Sequence, residues 1–194
     1  MIIIKATTSE ETQAAIDSAI SEGEYTIRLE GSPSIPPLLT IGGHVTLYIH
    51  IPSTIILEDW ALAEVYGGCS VYAHHNSTVI LHDHSSAYAY DYTTVFAHDK
   101  SYVRASGRTY IETDGSVKVT ASGAATVTLK GNSTAEAKGF VDISLHDNAK
   151  ANAHDYTKVH AYDNSEVAAY DWVDVTSYGA PSVKVHDNAL LIPA

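Results

Sequence analysis

The chain has 194 residues, 45% of them hydrophobic, which suffices for one domain's core and is too many for a disordered polymer. Eleven Lys+Arg against 23 Asp+Glu give a formal net charge of −12, which disfavours a nucleic-acid groove or an anionic membrane as a direct partner. No apolar run approaches the ~20 residues of a bilayer span, MIIIKATTSEE turns polar too soon for a secretory signal, and the single Cys69 excludes an intramolecular disulfide framework and a Cys-based zinc site, so a cytoplasmic protein is expected.

Residues 1–52 read as an N-terminal cap: a short strand, a helix over 9–22, a Pro-rich loop and the strands of the first coil. Thr8 and Glu11 have capping-box spacing, and Ala15, Ile16, Ala19 and Ile20 form an apolar helical stripe ending at Gly23. YTIRLEG (25–31) alternates as a strand, SPSIPP (32–37) is the loop, and HVTLYIHI (44–51) places Val45, Leu47 and Ile49 in phase with the inward residues of the chain beyond residue 52. This arrangement resembles the start of right-handed parallel β-helix proteins, which implies an amphipathic helix closing an otherwise exposed sheet end.

From 53 to 188 the chain is a repeat of eight residues. Stepping by eight from Asp59 to Asp187 meets 17 positions, of which 16 are Asp or Gly and only His75 departs. Four residues before each stands Ile, Val or Ala without exception, and two before stands Leu, Val or Ala save at Thr113 and Ser177. The consensus S/T-x-V-x-A-Y/H-D/G-N is a short strand with one buried face, closed by a corner that wants φ > 0 or an Asx hydrogen bond. The expected fold is all-β, a right-handed parallel β-solenoid (β-helix) with one N-terminal capping α-helix. The aromatics that come directly after the corner, Trp60, Tyr92, Phe140, Tyr156 and Trp172, all share one remainder on division by 16, which favours two octads per coil. After Asn188 the segment 189–194 reads as an apolar C-terminal tail, and Leu190, Leu191 and Ile192 are the residues expected to mediate a homodimer through that end.

The recurring HisAsp pairs look at first like a catalytic or metal motif. The structural reading is stronger, because the Asp already serves the corner, while His82 with His98 and Tyr162 with Tyr178 fall one coil apart and would form surface ladders. No closed ligand set is visible, and the Gly-Gly-x-Gly-x-Asp nonapeptide of calcium-binding β-rolls is absent, so no metal and no cofactor is expected. Octads without insertions build no pocket-forming loop, and no nucleophile elbow, P-loop or dinucleotide fingerprint occurs, so an enzyme is not expected either.

Charge is unevenly spread: residues 1–60 carry −6, 61–100 carry −3, 101–150 carry +1 and 151–194 carry −4. Two acidic, Tyr/His-rich zones thus flank a waist that holds Arg104, Arg108, Lys118, Lys130, Lys138 and Lys150. Tyr and His beside acids suit docking on a basic protein surface. The candidate contact residues are Asp83, Asp91, Asp99, Asp147, Asp155, Asp163, Asp171, His82, His98, Tyr162, Tyr170 and Tyr178.

The octads SEVAAYDW, TKVHAYDN and STVILHDH resemble the tandem octapeptide arrays encoded in bacterial and prophage genomes. The resemblance is specific for architecture and says little of function. By analogy with acidic β-solenoids that imitate DNA, it implies a non-enzymatic inhibitor carried by a phage or mobile element, acting in the host cytoplasm on a nucleic-acid-binding defence enzyme of the CRISPR or restriction type. Duplex DNA shows one charge per ~1.7 Å, against roughly one corner Asp per 4 Å here, so partial mimicry or groove occlusion is expected. The alternative, from a different class, is a structural or adhesive module of a phage or surface assembly.

Overall fold

The octad TKVHAYDN (157–164) shows how the consensus folds in the computed structural model, which describes residues 1–193. Lys158–Ala161 is the strand, with Val159 and Ala161 turned inward and buried. The leading hydroxyl closes the preceding turn: Thr157 Oγ1 donates to the His154 carbonyl at 2.8 Å, as Ser77, Thr93 and Ser101 do to His74, Tyr90 and His98. Asp163 turns the corner at φ 55°, a left-handed conformation that Asp tolerates better than most side chains.

The chain opens with β1 (Ile2–Lys5), α1 (Ser9–Ser21), β2 (Thr26–Glu30), β3 (Leu38–Ile41) and β4 (Thr46–Ile49). Eighteen further four-residue strands come at eight-residue intervals, from β5 (Thr54–Leu57) to β22 (Leu190–Pro193). After β1, alternate strands fall into two sheets: twelve strands in the order β1, β2, β4 and onward by even numbers to β22, and ten in the odd series β3 to β21. All pairs are parallel, and from β3 and β4 onward the coil register is 16 residues, so Thr78 lies beside Thr94 and Thr94 beside Tyr110. Two octads make one coil.

One apolar cluster runs between the sheets from Ile4 to Val175. The last inward position of the ten-stranded sheet is Ala in seven successive coils, Ala73 to Ala169, whereas the equivalent position of the other sheet varies, with Leu81, Leu129 and Leu145 among Ala97, Thr113 and Ala161. Small side chains on the ten-stranded sheet keep the interior between the sheets thin.

The helix is the edge cover that the capping pattern predicted. Thr8 Oγ1 accepts from the Glu11 amide at 3.3 Å at its start, and Thr12, Ile16 and Ala19 are buried. Gln13 behaves as a substitute strand for β3: its Nε2 donates to the Thr40 carbonyl and its Oε1 accepts from the Thr40 amide, both at 2.9 Å. Ser9 Oγ accepts from the Leu38 amide at 3.1 Å, so part of the ten-stranded sheet's first edge is satisfied by side chains. The strand β3 itself is concealed in the sequence by the prolines before it.

The other end corrects the sequence reading. In place of the expected tail over 189–194, Leu190–Pro193 is β22, a full strand in register with Asp174–Ser177. The apolar run ALLIP continues the octad's strand position, and Ala194 lies outside the described residues.

Corner identity goes with the length of one hydrogen bond between coils. Where the later corner is Gly, as at Gly107, Gly115, Gly123, Gly131 and Gly139, the amide after it meets the earlier corner's carbonyl at 2.7–2.8 Å. Where the later corner is Asp, as at Asp99, Asp147, Asp155 and Asp163, the same bond measures 3.0–3.1 Å. A Cβ at Gly131 would stand 2.7 Å from the Gly115 carbonyl oxygen, so only glycine permits that approach.

Candidate interaction surfaces

The corners of the coils form two ridges along the rod. The first ridge runs beside the twelve-stranded sheet and carries His82, Asp83, His98, Asp99, Asp147, Tyr162, Asp163 and Tyr178. The second runs beside the ten-stranded sheet and carries Asp91, Asp155, Tyr170 and Asp171. The structure therefore divides the twelve sequence candidates between opposite ridges, and the glycine corners of the waist separate Asp99 from Asp147.

Each ridge bears stacked rings, because equivalent residues of successive coils stand one strand spacing apart. His50, Tyr66, His82 and His98 stack at 4.4, 4.4 and 5.1 Å, and His146, Tyr162 and Tyr178 at 4.7 and 4.6 Å. On the second ridge His74 stacks on Tyr90 at 4.9 Å, and His154, Tyr170 and His186 at 4.7 and 4.8 Å. The Tyr66 hydroxyl donates to Glu64, and that bond, with burial, pushes its pKa up to about 12. Burial and the neighbouring Tyr178 also raise the Tyr162 phenol.

The corner carboxylates have work within the fold. Asp83 Oδ2 accepts from the Gly67 amide at 3.0 Å, Asp91 from His75 at 3.2 Å, Asp147 from Gly131 at 2.9 Å and Asp155 from Gly139 at 2.9 Å. Asp163 and Asp171 do the same for Asp147 and Asp155, at 3.0 and 3.1 Å. Five of the six are exposed and Asp171 is half-buried, so each presents negative charge while one of its oxygens is engaged. Among the described residues, no three His, Cys, Asp or Glu gather as a metal-binding group.

A feature outside those twelve candidates lies on the second ridge. Phe140, Tyr156 and Trp172 occupy the position after the corner in three consecutive coils and are 69%, 56% and 58% exposed. Phe140 and Tyr156 stack at 5.4 Å, and Asp155 and Asp171 stand next to them in sequence and along the ridge. The 16-residue aromatic recurrence that gauges the coil is the signal that also marks this column.

The acidic zones and the basic waist also separate in space. Arg104, Lys118 and Lys150 project from the ten-stranded sheet, and Arg108 and Lys138 belong to the second ridge. Lys130, on the first ridge, is held by Glu112, which raises the lysine's pKa and lowers the carboxylate's. Lys150 is paired with Glu166 at 2.8 Å. No helix among the described residues is long and apolar enough to cross a membrane.

Comparison with protein families, with curated proteins and with solved structures finds no match to this chain. The geometry defines it as a parallel β-solenoid with a 16-residue coil and one capping helix.

Proposed function

We propose that this chain is a non-enzymatic acidic binding protein that docks on a basic protein surface through the second ridge from Phe140 to Trp172. The observation that carries the reading is the column of three exposed aromatics beside the corner carboxylates Asp155 and Asp171. Large aromatics at the centre of a charged surface are the usual anchors of a protein interface, and the carboxylates favour a cationic partner. Octads that run without insertion favour a docking rod over an enzyme.

The resemblance to octapeptide arrays of bacterial and prophage genomes supports a phage or mobile-element inhibitor that meets its target, a nucleic-acid-binding defence enzyme, in the host cytoplasm. Successive carboxylates on one ridge recur at ~4.8 Å, against ~3.4 Å per strand for the charges of DNA. Occlusion of a basic groove therefore fits better than close imitation of a duplex. In the same reading, a second copy of the chain covers the apolar last coil around Leu190, Leu191 and Ile192.

The test is binding of purified DNA-cleaving defence enzymes to the immobilised chain at low and high salt. The comparison variants are Phe140→Ser/Tyr156→Ser/Trp172→Ser and a fourfold Asp→Asn at 147, 155, 163 and 171. Asn is chosen because it removes charge while keeping both an oxygen acceptor and tolerance of the left-handed corner. Tight, salt-sensitive binding and inhibition that both variants weaken at least tenfold are expected. Failure to bind any such enzyme, or full affinity in the triple-Ser variant, overturns the reading.

A further inference from the structure

The ring stacks of the ten-stranded face stop abruptly at the waist. Tyr72 stacks on Tyr88 at 4.8 Å and His74 on Tyr90 at 4.9 Å, but the next residues in those two columns are Arg104 and Ser106. One coil further stand Thr120 and Ser122, and one further again Glu136 and Lys138. Three coils of non-aromatic side chains, small at Ser106, Thr120 and Ser122, thus follow the rings, and only the Tyr90 column resumes, at His154. The result is an open depression of about 790 Å³ lined by Tyr88, Tyr90, Arg104, Ser106, Thr120 and Lys138, among others. Its size is that of a small-molecule site.

The chemistry of the walls is selective. Tyr88 and Tyr90 end their stacks side by side; Arg104 takes the next place over Tyr88, whereas the small Ser106 leaves the place over Tyr90 open, and a planar group there would continue that ladder at its natural spacing. Three coil steps separate Tyr90 from Lys138, about 14 Å at the strand spacing, room for a ring and a charged substituent. Arg104 and Lys138 are in none of the ion pairs among the described residues, whereas Lys130 and Lys150 are each neutralised by a glutamate. Arg104 stands next after Tyr88 and Lys138 at the far end of the depression, while the Glu136 carboxylate of the same lining is engaged by Asn152 Nδ2; on a chain of net charge −12 the two bases form a local site for an anion. The hydroxyls of Ser106, Thr120 and Ser122 add hydrogen-bonding groups along the floor.

We infer that this depression binds a planar aromatic ligand bearing negative charge, its ring stacked on Tyr90 over Ser106 and its anionic group held by Arg104 and Lys138. Either a nucleoside monophosphate or a free aromatic carboxylate has this chemistry. The site borders the Phe140–Trp172 docking column at Lys138, two residues before Phe140, but uses none of that column's aromatics or carboxylates.

Calorimetric titration of the whole chain with adenosine monophosphate, adenosine, inorganic phosphate and naphthalene carboxylate tests it. Saturable binding of the nucleotide or the aromatic carboxylate with a Kd below about 1 mM is expected, with whichever binds tighter naming the source. Adenosine and phosphate alone should each bind at least tenfold more weakly than the nucleotide if the nucleotide is the ligand. Ser106→Tyr, which extends the Tyr90 stack into the depression, should abolish binding, and Arg104→Gln should weaken it about tenfold. Should Ser106→Tyr fail to fold by circular dichroism, Lys138→Gln replaces it with the same expected loss as Arg104→Gln. No saturation by either aromatic anion, or binding unchanged in these variants, overturns the proposal.

Discussion

Asp99 Oδ2 lies 3.0 Å from the backbone nitrogen of Asp83, sixteen residues earlier and one coil below. The same link joins Asp59 to Gly43, Asp83 to Gly67, Asp163 to Asp147 and Asp171 to Asp155. The acidic corner residue is thus a clasp between coils, and its charge comes with a structural obligation. Asp99 also holds φ 58°, where a residue without a local acceptor is strained. Asp99→Ala should cost about 1–2 kcal/mol from the strained corner and the lost bond. Asp99→Asn should stay within about 0.5 kcal/mol of the native chain. Urea denaturation separates the two, and equal losses would show that the clasp contributes nothing.

Glycine corners should divide into two classes by the space around them. Gly67 has φ 73° and open surroundings, whereas Gly131 has φ 67° with the Gly115 backbone 2.7 Å from where a Cβ would be. Gly67→Ala should therefore cost about 1 kcal/mol, the left-handed strain alone. Gly131→Ala should cost a further ~1–3 kcal/mol, the penalty of overpacking, because the obstacle is backbone and cannot swing away. Similar urea midpoints for the two variants, with unchanged slopes, would contradict the close approach of the waist coils.

The octad and its phase made the solenoid and its 16-residue coil legible, because inward Val and Ala, the hydroxyl that closes the turn and the Asp or Gly corner are all local requirements. The capping helix was equally visible from Thr8, Glu11 and its apolar stripe. What the sequence hid depends on relations across coils. The pairing of Gln13 with Thr40, the clasp from Asp99 to Asp83 and the depression between Tyr90 and Lys138 each join residues that are distant in the chain. The same blindness merges His82 and Tyr170 into one candidate surface, although their strands belong to different sheets and their corners to different ridges. Leu190–Pro193 reads as a tail because its octad ends before a corner appears.

Tyr66 gives the ladder an alkaline signature. Its ring lies 4.4 Å from both His50 and His82, and its hydroxyl donates to Glu64, so its pKa stands at about 12, above the ordinary value of about 10 for an unfolded tyrosine. The folded chain holds this proton more tightly than the unfolded one. The stabilisation is therefore complete below pH 10 and is lost as pH rises from 10 towards 12. Against Tyr66→Phe, the native chain's stability difference should be level on the neutral side of that window and should fall in favour of the variant across it. Denaturation curves for both chains on either side of the window check this. A difference that stays level throughout would mean that the Glu64 bond does not persist in solution.

The last coil offers the sharpest test of self-association. Leu191 pairs in register with Val175, which is wholly buried, yet Leu191 is 39% exposed, and Val185, Leu190 and Ile192 are 43%, 53% and 43% exposed. An inward column is thus uncovered at its final step, beside strand edges with unpaired backbone groups on β21 (Ser182–Val185) and β22. A second copy meeting this end would bury these side chains, each worth about 1.5–3 kcal/mol when fully removed from water. Light scattering should therefore find a dimer at about 50 µM, a concentration that modest contact energy suffices to saturate. Leu191→Glu places a carboxylate in the contact twice and should yield a monomer with an unchanged circular dichroism spectrum. A native chain that is monomeric at this concentration, or a Leu191→Glu chain that still dimerises, would remove this end as the contact.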